Sequence, residues 1–243
     1  MPDWNEAADW YASMLDDPAR PFNDLAATVA LDLLGPVAGR TVLDLGCGEG
    51  HVSRRLARAG ATVIGVDPTA RLLELAAEHS TPPGIRYLHA AAEDLSGLTT
   101  ASVDAVCAVL VLHHTDPLPT ALREAHRVLR PGGALAAVIP HPAFDHAGAA
   151  WAEGRRVVGA YADERHWSTP TRMPGRVEAV HNIGWHHRTV STWLNALAEA
   201  GFTLERAVEP LGQGAWEHLP RFLAFRATTG DGPVSAVGPS SFA

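Results

Sequence analysis

The amino-acid sequence predicts an α/β protein in which a mostly parallel β-sheet carries helices on both faces. Short apolar runs, typical of strands that are buried on both sides, alternate with segments of helical periodicity between residues 41 and 139. Clusters of Gly and Pro separate many of these segments. Such alternation favours parallel strands joined by right-handed crossovers.

The predicted elements follow one another in a regular order. The spacing of apolar residues indicates helices over Trp4–Leu15 and Phe22–Leu34, before the first strand. Strands and helices then alternate along the rest of the chain. The strands are predicted at 41–45, 62–66, 85–89, 103–110, 134–139, 202–208 and 220–226, and the helices at 52–59, 72–79, 120–129 and 192–200.

Residues 140–190 interrupt this alternation. They contain six of the 13 histidines and several large aromatic side chains. Because so long a connection within a compact domain is usually functional, we expect it to close over a substrate together with Trp4–Leu15. The expected substrate-binding residues are Tyr11, Trp151, Tyr161, Trp167 and His186.

A glycine loop, GCGEG at residues 46–50, follows the first strand directly. Backbone without side chains lets a ligand approach closely. The second strand ends in Asp67, about 20 residues further on, where an acid can accept hydrogen bonds from ribose hydroxyls. The third glycine of a dinucleotide fingerprint is replaced by His51, and Asp44 beside the loop would repel a pyrophosphate but suits an ammonium or sulfonium group.

Four ordered motifs carry a family resemblance. VLDLGCGEG at 42–50 resembles the signature of the class I S-adenosylmethionine-dependent methyltransferases. AAAEDL at 90–95, VDAVCAVLVLHHTDP at 103–117 and ALREAHRVLRPGGALAAVIP at 121–140 are similar to later motifs of that family. The resemblance implies a Rossmann-like seven-stranded, mostly parallel sheet with an antiparallel last strand, and S-adenosyl-L-methionine as the cofactor.

The resemblance also implies which residues bind the methionine part of the cofactor. Gly46, Gly48 and the backbone of Cys47 would pass beside it, Asp44 would favour its ammonium group, and Val109 would offer a carbonyl. Cys47 is expected to fill space rather than to act as a nucleophile, because nothing cationic lies next to it in the sequence.

The adenosine part is assigned in the same way. Asp67 would bind the ribose, Ala92 would donate its N–H to the adenine, and Glu93 would accept from the adenine amino group. Asp94 stays an alternative partner to Glu93, although Asp is also a common helix cap. The alternative interpretation of Asp44 and Asp67 is that they are solubilising charges at the ends of strands.

The catalytic base is expected among the histidines, whose ordinary pKa lies near neutrality. HHRTVSTWLNALAEAGF at 186–202 resembles a substrate-side segment of a bacterial subgroup, which makes His187 the first choice and His141 the second. No metal is expected, because no Cys pair or carboxylate–histidine signature accompanies the histidines. The candidates are His113, His114, His141, His186 and His187.

The amino-acid composition disfavours or excludes several classes of function. A formal net charge of -8 disfavours a nucleic-acid-binding surface. The chain has no lysine, which excludes Schiff-base chemistry on its own side chains. Its two cysteines, without a disulfide framework, predict a reducing cytoplasm, and no apolar run is long enough to cross a membrane.

The sequence therefore predicts a single methyltransferase domain over residues 1–228. It comprises a helical cap over 1–34 and a substrate lid over 140–190 inserted after the fifth strand, and a disordered tail follows at 229–243. We expect methyl transfer to an O or N atom of a small molecule, such as an aromatic compound or a natural product. The protein is expected to be a monomer or a homodimer. The alternatives are a cofactor-binding cyclase or rearrangement enzyme, a non-enzymatic binding protein and a nucleic-acid methyltransferase.

Overall fold

A computed structural model of the chain describes residues 4–15, 22–79, 82–146, 148–168 and 184–230. Its strands are β1 (Thr41–Leu45), β2 (Thr62–Asp67), β3 (Ile85–His89), β4 (Val103–Val109), β5 (Leu129–Pro140), β6 (Ala149–Ala152), β7 (Arg155–Val158), β8 (His166–Trp167), β9 (Trp185–His186), β10 (Phe202–Val208) and β11 (Phe222–Thr229). Its helices are α1 (Trp4–Leu15), α2 (Phe22–Leu34), α3 (His51–Arg58), α4 (Ala70–Glu78), α5 (Leu118–Val128) and α6 (Val190–Glu199).

Seven strands form one sheet, in the order β10-β11-β5-β4-β1-β2-β3. The strands from β1 to β5 pair in parallel, whereas β11 runs antiparallel to both of its neighbours. This confirms the predicted fold, including its antiparallel last strand. The order of the strands reverses between β1 and β4, and in open α/β sheets a ligand binds in the crevice outside the carboxyl ends at such a point.

The sheet is buried between two apolar layers, because successive side chains of a strand point to opposite faces. In β1, Leu43 and Leu45 pack in the layer that contains residues of α5 and α6. Val42 packs in the other layer, with residues of α2 and α3. A fully buried leucine stabilises the fold by about 1.5–3 kcal/mol, so the apolar residues of β1 hold it on both sides.

Two strands are longer than predicted. The sequence 130–133, which was expected to form a turn, is instead an irregularity inside β5, where the pairing with β4 shifts from Val103↔Leu129 to Ala105↔Ala134. The last strand continues to Thr229, the first residue of the predicted tail, whose hydroxyl donates to the carbonyl of Arg130. Residues 231–243 of that tail lie outside the described residues.

The segment 140–190 forms two small antiparallel pairs, β6 with β7 and β8 with β9. Residues 147 and 169–183 of this predicted lid lie outside the described residues. None of the helices described here is long and apolar enough to span a membrane.

Helix α1 lies against α4 and is joined to it by polar contacts. The guanidinium of Arg71 donates to the carboxylate of Asp9, at 2.8 Å from Nη2, and the backbone N–H of Arg71 donates to the side chain of Asn5 at 3.1 Å. These groups are largely exposed to solvent. They hold α1 beside the carboxyl ends of the parallel strands.

Candidate active site

A cavity of about 320 Å³ opens at the carboxyl ends of β1, β2 and β4, where the strand order reverses. Its walls come from the loops that follow these strands, from α1 and from the start of α2. The lining residues are Trp4, Tyr11, Met14, Phe22, Asn23, Gly46, Gly48, Val66, Asp67, Pro68, Thr69, Leu72, Ala92, Glu93, Val109, Leu110, Val111, His113, His114, Thr115 and Pro140.

The glycine loop is held by backbone hydrogen bonds to β2. The N–H groups of Gly46 and Cys47 both donate to the carbonyl of Val66, at 2.8 and 3.0 Å. Gly46 has a φ of +71°, and a Cβ at this position would collide with the side chain of Val111. The loop therefore needs glycine here for two reasons, a left-handed backbone and close packing.

Asp67 supports the loop from the end of β2. Its carboxylate accepts from the N–H of Gly48 and from the N–H of Thr69, both at 2.9 Å. Burial raises the pKa of Asp67, and the two backbone donors partly oppose this effect. An ionised carboxylate offers about four lone-pair directions, so two remain for the hydroxyls of a ribose.

Two predicted cofactor residues lie one layer behind this wall. Asp44 is buried in β1 and accepts from the hydroxyl of Ser53 in α3 at 2.5 Å, so its side chain points away from the cavity. Burial raises its pKa to about 7. The buried thiol of Cys47 has its pKa raised well above its ordinary value by burial and then by Asp44, which agrees with a space-filling role.

The two candidate adenine partners lie in different surroundings. Ala92 and Glu93 both line the cavity, and the Glu93 carboxylate also accepts from the N–H of Asp116 at 3.0 Å. Asp94 is not among the residues that line it. Its side chain accepts instead from Ser96 at 3.0 Å, which lowers the pKa of Asp94 in the manner of a turn acid.

His113 and His114 form the opposite end of the cavity, in a 3₁₀ turn after β4. The Nδ1 of His114 lies 2.9 Å from the carbonyl oxygen of Gly184. Since a carbonyl can only accept, Nδ1 carries the hydrogen, and Nε2 of the neutral ring keeps its lone pair. Burial lowers the pKa of His114 to about 4, so the ring is neutral at physiological pH.

The histidines preferred from the sequence are placed elsewhere. The Nε2 of His187 donates to the carbonyl of Tyr161 at 2.8 Å, and its ring stacks on that of His146 with centroids 4.4 Å apart. The Nε2 of His141 lies 2.7 Å from a carboxylate oxygen of Glu209. The structure therefore does not bring His187 or His141 to the wall of the main cavity.

The predicted aromatic residues of the segment 140–190 also lie away from this wall. Trp151 is 39% exposed and packs edge-on against Trp216, with ring centroids 5.6 Å apart. The hydroxyl of Tyr161 accepts from the first backbone N–H of α6, and Trp167 stacks against the guanidinium of Arg165. These rings pack the segment onto the domain. His186, the remaining predicted residue of this group, faces the ring of His166 at 4.9 Å.

Helix α1 brings its aromatic face to the cavity. Tyr11, a predicted substrate-binding residue, lines it and packs edge-on against Trp4 at 5.5 Å. Burial raises the pKa of Tyr11, with smaller contributions from Glu49 and Asp67. Trp4 also packs edge-on against His114 at 5.3 Å and was not predicted to contact substrate. Its position seven residues before Tyr11, on the same helical face, was the available signal.

Comparisons with known proteins agree with this geometry. A family model described as "Methyltransferase domain" matches residues 43–137. An S-adenosylmethionine-dependent methyltransferase from Mesorhizobium loti is 31% identical, with a TM-score of 0.71, over 84% of this chain and 99% of that one. A Listeria monocytogenes protein assigned to the same class is 25% identical, with a TM-score of 0.72, over 85% and 99% of the two chains.

A curated relative covers only part of the chain. The ubiquinone biosynthesis O-methyltransferase of Xanthomonas oryzae pv. oryzae is 38% identical over 126 residues, which are 49% of this chain and 52% of the relative. The match thus spans about half the length of that protein.

Proposed function

The chain belongs to the class I S-adenosylmethionine-dependent methyltransferases, and we propose that it transfers the methyl group of S-adenosyl-L-methionine to an oxygen or nitrogen atom of a small molecule. One observation carries the proposal. A single cavity joins the glycine loop and Asp67 to the neutral rings of His113 and His114, under the cover of α1. Its volume of about 320 Å³ lies at the lower end of the range for small-molecule sites.

The residues at one end of the cavity fit the cofactor. Asp67 would accept from the ribose hydroxyls, and Ala92 and Glu93 would face the adenine. Gly46, Gly48 and the carbonyl of Val109 would lie beside the methionine part. The bound cofactor supplies an activated methyl group on a sulfonium centre, whose positive charge suits the two carboxylates of this wall.

At the other end, we propose His114 as the residue that orients the acceptor. Its Nε2 lone pair can accept a hydrogen bond from a hydroxyl or amine, and its low pKa keeps that lone pair free at neutral pH. Orientation behind the methyl group is the main task of the enzyme in such a displacement, and it contributes up to about 7–11 kcal/mol to lowering the barrier. The name of the Xanthomonas relative favours oxygen over nitrogen as the acceptor atom.

The walls between these two ends favour an acceptor with an apolar or aromatic body. Trp4, Tyr11 and Phe22 present rings to the cavity, and such rings bind flat apolar groups by stacking or by edge contacts. A nucleic acid is disfavoured, because the net charge of -8 repels its phosphates and the cavity lies under α1. We therefore propose a small acceptor.

The proposal is tested in two steps. Calorimetric titration with S-adenosylhomocysteine should give a dissociation constant in the micromolar range, which corresponds to about −8 kcal/mol. A panel of phenols, catechols, hydroxybenzoates and amines is then incubated with the protein and S-adenosylmethionine, and S-adenosylhomocysteine formation is measured. Binding of NADH in place of the adenosyl cofactor would overturn the cofactor assignment. Cofactor binding without turnover on any small acceptor would count against the acceptor class.

A further inference from the structure

A second, smaller cavity lies behind the acceptor end of the main one. His113 and Pro140 line both cavities, so the two adjoin each other at these residues. The remaining wall of the small cavity includes Asp145, His146 and Arg188. The carboxylate of Asp145 is paired with the guanidinium groups of Arg221 and Arg156, at 3.5 and 3.9 Å. The small cavity has room for about one water molecule, or for one oxygen atom of a larger ligand.

Three polar atoms on the wall of this small cavity are buried without a hydrogen-bond partner among the described residues. They are Nδ1 of His113, Nε2 of His146 and Nη1 of Arg188. The side chains of His113 and His146 are 8% and 4% exposed. Since an unpaired buried polar atom costs about 1–3 kcal/mol, three around one space indicate that the space receives a polar group.

At least two of these atoms are donors. Nδ1 of His146 accepts from the backbone N–H of Gly148 at 3.1 Å, so Nε2 carries the hydrogen in the neutral ring. Nη1 of Arg188 belongs to a guanidinium, which only donates. Two unpaired donors on the wall of one small cavity favour an oxygen acceptor there, and the positive charge of Arg188 favours an anionic oxygen.

The charges around the main cavity agree with an acidic acceptor. Among the described residues that line the main cavity, Asp67 and Glu93 are acidic and none is an arginine. Arg188 lies immediately behind that wall, because its Nη2 donates to the carbonyl of Thr115, a lining residue, at 2.8 Å. Its ion pair with Asp116, at 3.4 Å, is to a largely exposed carboxylate and leaves Nη1 unpaired.

We propose that the acceptor is a small carboxylic acid and that Arg188 and His146 bind its carboxylate, one oxygen of which occupies the second cavity. This inference rests on the proposed methyl transfer. In this arrangement the guanidinium of Arg188 balances the charge of the acceptor carboxylate. Arg188 is a specificity-determining residue in this arrangement and takes no part in the displacement itself.

Paired probes test the inference on protein saturated with S-adenosylhomocysteine. Calorimetric titration compares 4-hydroxybenzoate with 4-hydroxybenzamide, which differ in charge but little in shape. The wild-type protein should bind the acid about tenfold more tightly, the ratio expected from one charge-assisted hydrogen bond. Arg188→Met should abolish that preference, whereas Arg188→Lys should keep part of it. Arg206→Met, on an exposed position of β10, is the matched control and should leave it unchanged.

Three outcomes would overturn the inference. They are equal affinity of the wild-type protein for the acid and the amide, binding of neither probe, and a preference that survives in Arg188→Met. A crystal structure with 4-hydroxybenzoate in which a fixed water still fills the second cavity would also overturn it, even if the Arg188 variants fail to fold. If the wild-type protein did not bind S-adenosylhomocysteine, the proposed function itself would be refuted. Failure of the inference and failure of the proposed function are therefore distinguishable.

Discussion

The two ends of the main cavity are built in different ways. At the cofactor end, the lining residues are close in sequence to the carboxyl ends of β1 and β2, and backbone hydrogen bonds hold Gly46 and Gly48 in place. At the acceptor end, the wall depends on contacts between distant segments, such as the hydrogen bond of His114 to Gly184. The end of a strand fixes the positions of the residues that follow it in the sequence. The wall at the acceptor end, in contrast, forms only when distant parts of the chain have packed together.

We therefore expect substitutions at the cofactor end to lower stability and cofactor affinity, because they change backbone geometry or a buried charge. Substitutions at the acceptor end should change turnover and specificity, with smaller effects on stability.

The largest effect should come from the buried carboxyl of Asp44. Its pKa of about 7 in the folded protein lies about three units above its ordinary value. The folded state thus favours the neutral acid, so this contribution to stability is present below about pH 4 and is lost as pH rises through 7. Relative to Asp44→Asn, the wild-type protein should lose about 4 kcal/mol of unfolding free energy between pH 4 and 8.

Urea unfolding of both proteins across this pH range measures the difference. The lowered pKa values of His113 and His114 act in the opposite direction as pH falls below 6.5, but they are common to both proteins and cancel. A difference that does not change with pH would mean that Asp44 is ionised throughout.

Gly46→Ala should be the next most damaging change. The new Cβ meets Val111 and occupies a left-handed backbone, which together cost about 3 kcal/mol. Gly35→Ala is the matched control, because Gly35 has a φ of +70° but nothing within 4 Å of the added Cβ. It should cost only about 1–2 kcal/mol. Thermal unfolding compares the two, and calorimetry should find cofactor binding lost only in Gly46→Ala.

At the acceptor end, His114→Phe should lower turnover by about 10- to 100-fold while cofactor affinity stays within about twofold, because in the proposed arrangement the ring contacts the acceptor and not the adenosine. His187→Phe is the comparison, since His187 binds the carbonyl of Tyr161 and lies off the wall of the main cavity, although it lines the second one. Its turnover per folded molecule should fall less than that of His114→Phe. The reverse result would restore His187 as the residue that acts on the acceptor.

The smallest effect is expected for Trp151→Ala. Trp151 packs against Trp216 on the outside of the domain, so the variant should lose about 1 kcal/mol of stability or less and bind S-adenosylhomocysteine normally. Trp4→Ala, which removes part of the cover, should weaken binding about threefold to tenfold. Equal effects of the two variants on affinity would mean that β6 and β7 also reach the ligand.

The cofactor end could be predicted from the sequence because its geometry is local. The run that forms β1 fixes where Gly46 and Gly48 lie, and β2 pairs with β1 so that Asp67 meets the N–H of Gly48. Even here, the pleat of β1 turns Asp44 towards Ser53 in α3, and the sequence motif alone did not reveal that direction.

The acceptor end could be predicted only as a region. The motif at 186–202 drew attention to this segment, but the ring of His187 is oriented by Tyr161 and His146, which are 26 and 41 residues away. Arg188, one residue further on, reaches behind Thr115 because the residues before α6 pack against the turn that follows β4. Which of two neighbouring side chains approaches a cavity depends on packing across the whole domain, and no local pattern specifies it.

The attachment of α1 to α4 has a consequence for how long molecules stay bound. Exposed ion pairs such as that between Arg71 and Asp9 contribute about 0–1 kcal/mol, and the reach of their charges falls from about 10 Å at 0.1 M salt to about 3 Å at 1 M. Helix α1, which covers the cavity, is thus held partly by contacts that salt weakens. The glycine loop beneath it is held by buried backbone hydrogen bonds. Concentrated salt should shorten the residence time of the spent cofactor while leaving the loop that recognises it intact.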